Sequence, residues 1–336
     1  MERKTYNSLD LMKIIASILV VAIHAEPLNG LSKDIVIDVF ARVAVPFFFI
    51  TSSFFFFKGY HDKQALLRYI RRLALLYMFW FVVTLPITVL NSFIEPDTSF
   101  AHNLLRFIRG FFLGSTFRGS WFLMALMECI SFIWLLSRRL HTPTLLFIGI
   151  CMYTISVLFS SYCFFLPWEL QQLAEAYLQN LGHIELSFIS AFLPCTIGKW
   201  LAENLQRVTA ISKRQAIGST IILSVLAILE VLIHKGIHQP QAPDIYFLLL
   251  PLTVSVFVLM VVFETNMKLG DIRKMSIVFY FSHFIFVFIA VIVNKHIIPI
   301  HPFLKFFFVL ACCYSLSKFI MKMKETHAFR WLKYGI

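Results

Sequence analysis

The chain has 336 residues, of which 59% are hydrophobic, 38 are phenylalanine and only 14% are charged. That is more apolar side chain than one soluble core of this length hides, so a water-soluble globule is excluded. The formal net charge of +12 does not indicate nucleic acid, because the cations fall between apolar runs and not on one basic face.

Apolar runs of spanning length occur at about 9 to 29, 37 to 57, 67 to 90, 121 to 137, 143 to 165, 186 to 201, 215 to 234, 245 to 264, 275 to 293 and 302 to 320. They predict an all-α, polytopic membrane bundle of about ten helices, in one domain covering residues 1–336. The first run follows Arg3 and Lys4, but it contains Lys13 and His24 and lacks a small-residue cleavage site, so it reads as a retained helix. With the N-terminus inside, the inner segments hold 21 of the 30 Lys and Arg residues, the outer loops six and the helices three. By the positive-inside rule this predicts both termini in the cytoplasm and a multi-pass protein of the cytoplasmic membrane.

The outer segment 92–120 holds Arg106, Arg109 and Arg118, and its residues 103–108 have the pattern of an amphipathic surface helix. The basic tail after about 320 is expected along the inner membrane surface. Six scattered cysteines show neither metal-ligand spacing nor a disulfide framework, so no metal site is expected.

Charged side chains within a spanning helix cost roughly 2.5–3.5 kcal/mol each, so they face the bundle interior or a wet cavity. The candidates are Lys13, His24, Arg42, Glu128, Glu230, His283 and Lys305. Lys13 and His24 are eleven residues apart, about three whole turns and a rise of roughly 16 Å, which puts both on one helix face. Arg42 lies at a depth comparable with His24, with Pro46 one turn later; Arg71 and Arg72 open the third helix on the side of Lys13. Each also has a structural reading: snorkelling for Lys13 and Lys305, lipid phosphate for Arg42, the positive-inside bias for Arg71 and Arg72, and helix cross-links for Glu128, Glu230 and His283.

The first helix, LDLMKIIASILVVAIH, resembles the opening of the membrane acyltransferases of acyltransferase family 3, where an aspartate, a basic residue three positions later and a histidine eleven beyond that recur. Asp10, Lys13 and His24 match those positions. The resemblance continues through VAVPFFFITSSFFFF at 43–57, RRLALLYMFW at 71–80, WFLMAL at 121–126, FLPCTIGKWLAE at 192–203 and VFYFSHFIFVF at 278–288. Within that family the chain resembles the group containing the membrane half of vancomycin-resistance-type serine racemases, through PDIYFLLLPL at 243–252.

The resemblance implies transfer of an acyl group, commonly acetyl from acetyl-CoA, to a hydroxyl of an extracytoplasmic carbohydrate or cell-envelope acceptor. Joined to the placement of the charges, it implies that Lys13, Arg71 and Arg72 hold the CoA phosphates at the inner face. His24 then acts as base or acyl carrier, Arg42 stabilises the oxyanion, and Arg118 and Trp121 seat the acceptor. Three positions depart from the family pattern: Lys13 where arginine is usual, Ser53 where glycine is frequent, and Ser120 where a histidine is frequent. Two rival readings stay open, a small-molecule transporter and a non-catalytic membrane partner; the oligomeric state is left open.

Overall fold

The computed structural model describes residues 6–59, 62–93, 108, 110, 117, 119–237, 245–265 and 270–336, and among these it is helical with no strand. Each of the ten apolar runs falls on a helix: α1 Asn7–Ala25, α2 Gly30–Gly59, α3 Lys63–Phe93, α4 Ser120–Leu136, α5 Thr142–Phe159, α7 Phe188–Glu203, α8 Lys213–Ile237, α9 Leu249–Val262, α10 Ile272–His296 and α11 Pro302–Met323. Among the described residues seven of them, α1, α2, α3, α5, α8, α10 and α11, are long and apolar enough to cross a membrane. A further helix that the apolar runs do not mark, α6 Trp168–Leu181, is amphipathic and leaves Trp168, Leu173, Leu178 and Leu181 exposed. The surface helix expected at residues 103–108 falls, all but Ile108, outside the described residues, as do Arg106, Arg109 and Arg118.

Helix α1 is anchored at its first turn. The Asn7 N–H donates to Glu264 Oε1 (2.7 Å), the Ser8 hydroxyl donates to the Phe263 carbonyl (2.7 Å), and the Thr265 N–H donates back to Ser8 Oγ (2.9 Å). These bonds give otherwise orphaned helix-end groups partners from the end of α9. The helix stops at Glu26, which takes a left-handed conformation (φ 49°) ahead of Pro27. Further along, the Ser17 hydroxyl donates to the Ser276 carbonyl at 2.8 Å and ties α1 to α10.

Helix α2 is irregular where its chemistry lies. Residues Lys33–Phe40 form a π-helix, Ala41–Val43 a tighter 3-10 turn, and only Ala44–Gly59 is α-helical. Pro46 has no N–H to give to the Arg42 carbonyl, so the ladder is broken at this point, and the wide and narrow turns absorb the mismatch. The π segment is braced on α8 by Lys235, whose Nζ pairs with Asp34 Oδ1 and Asp38 Oδ2 at 2.5 Å each.

The tightest contact in the bundle is between α2 and α7. A Cβ built on Gly198 would lie 2.5 Å from the Ile50 carbonyl oxygen and 3.0 Å from the Phe54 nitrogen, so the backbones approach as only glycine permits. The Ser53 hydroxyl donates across the same seam to the Cys195 carbonyl at 2.5 Å.

The tail folds back on the bundle. Its 3-10 segment, His327–Gly335, packs against α3: Trp80 Nε1–H donates to the Gly335 carbonyl (3.2 Å), and Trp331 lies 5.5 Å from Phe79, ring to ring. Leu332 is buried there, while Phe329, Trp331 and Tyr334 stay exposed.

Candidate functional site

Two polar regions lie near opposite ends of α1. At its start, Lys13 Nζ is ion-paired with Asp10 Oδ1 at 2.8 Å and sits 4.6 Å from the Phe55 ring centroid on α2. Arg273, at the start of α10, is close enough for its charge to act on both Lys13 and Arg72. Arg273 is thus a cation on this side of the bundle that the sequence counted only as an inner-loop charge. Arg71 and Arg72 are both exposed on α3. Cations from three helices near one carboxylate give this end of the bundle a charge balance that suits an anion.

Near the other end of α1, His24 is half-buried and its ring lies 5.2 Å from the His283 ring at an interplanar angle of 27°. Phe284 closes over both, 4.5 Å from His24 and 4.0 Å from His283. His283 is fully buried, and its Nδ1 lies 3.1 Å from the Phe279 carbonyl. Phe284 rests in turn on Gly119, the residue before α4, where φ is +86° and an added Cβ would lie 3.0 Å from the ring.

Arg42 and Trp121 both line a cavity of about 80 Å³, with Ile23, Pro46, Glu185 and Ser190. Ile23 precedes His24, so α1 places one residue in this cavity and the next against α10. Glu185 was not singled out from sequence. It lies in a short 3-10 turn before α7, is 7% exposed and is paired with His183 Nδ1 at 2.8 Å. Its one sequence signal was a carboxylate at the edge of an apolar run. Arg118 lies outside the described residues, so its expected role beside Trp121 has no geometry.

The other intramembrane candidates divide. Glu230 accepts from the Tyr162 hydroxyl (2.7 Å) and from the Phe247 and Leu248 N–H groups (2.8 Å each), which is a clamp between α8 and the entry to α9. Glu128 and Lys305 are half-buried, apart from both clusters. A larger apolar groove of about 830 Å³ runs between α5, α7, α8 and α9, lined by Leu146, Leu193, Leu223, Leu250 and Val254 among others. Tyr153 lines both spaces and donates to the Tyr246 carbonyl at 2.8 Å. Among the described residues no cluster of His, Cys, Asp and Glu is arranged to hold a metal ion.

The family described as acyltransferase domain matches residues 6–320, nearly the whole chain. Two matches are to proteins named amino-acid racemase from Enterococcus faecalis. One is 23% identical over 95% of this chain and 46% of the relative, the other 31% identical over 48% of this chain and 23% of the relative. A serine/alanine racemase from Enterococcus gallinarum is 32% identical over 27% of this chain and 14% of its own length. The chain thus spans less than half the length of these relatives. No solved structure matches.

Proposed function

The chain belongs to the acyltransferase domain family, and from that premise we propose that it transfers an acetyl group from cytoplasmic acetyl-CoA to a hydroxyl of an extracytoplasmic carbohydrate or cell-envelope acceptor. The observation that carries the reading is the pair of polar clusters joined by one helix, cations around Lys13 at one end and imidazoles around His24 at the other. Their separation along α1, roughly 16 Å, suits a donor whose phosphates and thioester are held apart by a long arm.

In this reading Lys13, Arg72 and Arg273 bind the CoA phosphates, with Arg71 available at the mouth. Lysine contributes a point charge where arginine would add a bidentate contact. The acceptor sits in the cavity of Arg42 and Trp121, the ring supplying an apolar face and Glu185 and Ser190 its polar contacts. Acyl transfer makes a C–O bond to the acceptor and breaks the C–S bond, with CoA leaving as the thiol. His24 serves this exchange as base or as acyl carrier, and Arg42 is assigned to stabilise the developing oxyanion.

The test is turnover of radiolabelled acetyl-CoA by protein in nanodiscs. The parent is expected to release CoA, His24→Ala to lose at least about a hundredfold in rate, the scale of general acid–base catalysis, and Lys13→Ala to raise KM for acetyl-CoA. A folded His24→Ala that matches the parent sinks the catalytic assignment. The names of the relatives favour a second reading, movement of an amino acid across the membrane; uptake into proteoliposomes without acetyl-CoA would select it.

A further inference from the structure

A carbonyl oxygen only accepts hydrogen bonds. The contact between His283 Nδ1 and the Phe279 carbonyl, 3.1 Å, therefore fixes the proton of the neutral ring on Nδ1 and leaves Nε2 as a bare lone pair. That Nε2 is buried and has no hydrogen-bond partner among the described residues. A buried acceptor left unsatisfied costs about 1–3 kcal/mol, a cost that a protein retains where the atom has a task. The next ring, 5.2 Å away, is the half-buried His24, and Phe284 lies over both rings, so its movement would admit an incoming group to the pair.

We propose that these two imidazoles divide the reaction, His24 carrying the acyl group and His283 Nε2 serving as the base for the acceptor. The proposal rests on the acyl-transfer reading and deepens it. In the first step the lone pair of His24 attacks the thioester carbon, a C–N bond forms and the C–S bond breaks. CoA leaves as the thiol, taking the N–H proton of His24. In the second, the acceptor hydroxyl gives its proton to His283 Nε2 while its oxygen attacks the acyl carbon. The C–O bond forms, the C–N electron pair returns to His24, and His24 recovers its proton from the His283 imidazolium. Thioester and alcohol become ester and thiol, and both rings end as they began.

His283→Asn separates the two ring nitrogens, since the asparagine amide still reaches the Phe279 carbonyl as a donor but nothing replaces Nε2. With radiolabelled acetyl-CoA in nanodiscs, this variant is expected to release one CoA per protein in a burst and then turn over about a hundredfold more slowly than the parent. Label should be held on His24, found by mass spectrometry of quenched protein. His283→Ala with added imidazole is the second variant, and restoration of the slow phase by imidazole is expected. Steady-state turnover within threefold of the parent in either folded variant overturns the proposal, and so does a parent that turns over with no acyl group ever found on His24. A parent that releases no CoA overturns the acyl-transfer reading itself. A parent that does, with His24→Ala inactive and the His283 variants fully active, removes only the second imidazole.

Discussion

Gly119 shows how one backbone conformation supports a site that it does not enter. At φ +86° a side chain is strained before any contact is counted, and a Cβ would press on Phe284 at 3.0 Å, the ring that closes over His24 and His283. Gly119→Ala is therefore expected to cost about 1 kcal/mol or more of stability and to lower acyl transfer by displacing Phe284, measured as a drop in melting midpoint alongside turnover. Arg273→Ala is expected to raise KM for acetyl-CoA severalfold with kcat little changed, because it removes a charge near Lys13 and Arg72 far from the histidines. Equal loss in kcat and KM terms would place Arg273 elsewhere in the cycle.

At the scale of elements, α2 and α7 meet through backbone. Gly198→Ala inserts a carbon where the Ile50 oxygen is 2.5 Å away, so the helices must separate; overpacking of this kind costs about 1–3 kcal/mol and is expected to lower the melting midpoint in detergent clearly. Pro46→Ala restores an N–H facing the Arg42 carbonyl. The expected result is a more regular α2 with Arg42 turned from its cavity, seen as reduced turnover in protein that still melts cooperatively; unchanged turnover would mean that the irregular turn does not set Arg42. The existence of these helices was legible because long apolar runs have few other solutions in a bilayer. The π and 3-10 segments were legible only in part: Pro46 marks the break, but the brace from Lys235 to Asp34 and Asp38 comes from about two hundred residues away.

Across the whole molecule, the same distinction between local pattern and distant contact decides what could be read in advance. Depth along the helices marked Arg42 and Lys13 one at a time, but not that Arg42 lines a cavity with Trp121 or that Arg273 acts on Lys13. The pairing of His24 with His283 joins residues 259 positions apart, α1 to α10, and the sequence marked each without linking them. Glu230 shows the reverse: its depth suggested function, and two backbone N–H groups and a phenol account for it. The contact of the tail with Trp80 joins residues 255 positions apart, which no local pattern marks. Trp80→Phe removes the indole donor to Gly335 and leaves a gap at a fully buried ring, so it is expected to expose the tail to protease and to lower the melting midpoint as well. The seam at Gly198 has a mechanical meaning as well. Two helices whose main chains interlock, with Ser53 bonded to the Cys195 carbonyl, resist sliding and act as a single stiff beam. Any rocking of this protein must pivot around α2 and α7 together, and α8 is tied to the same beam through Lys235 and its two carboxylates.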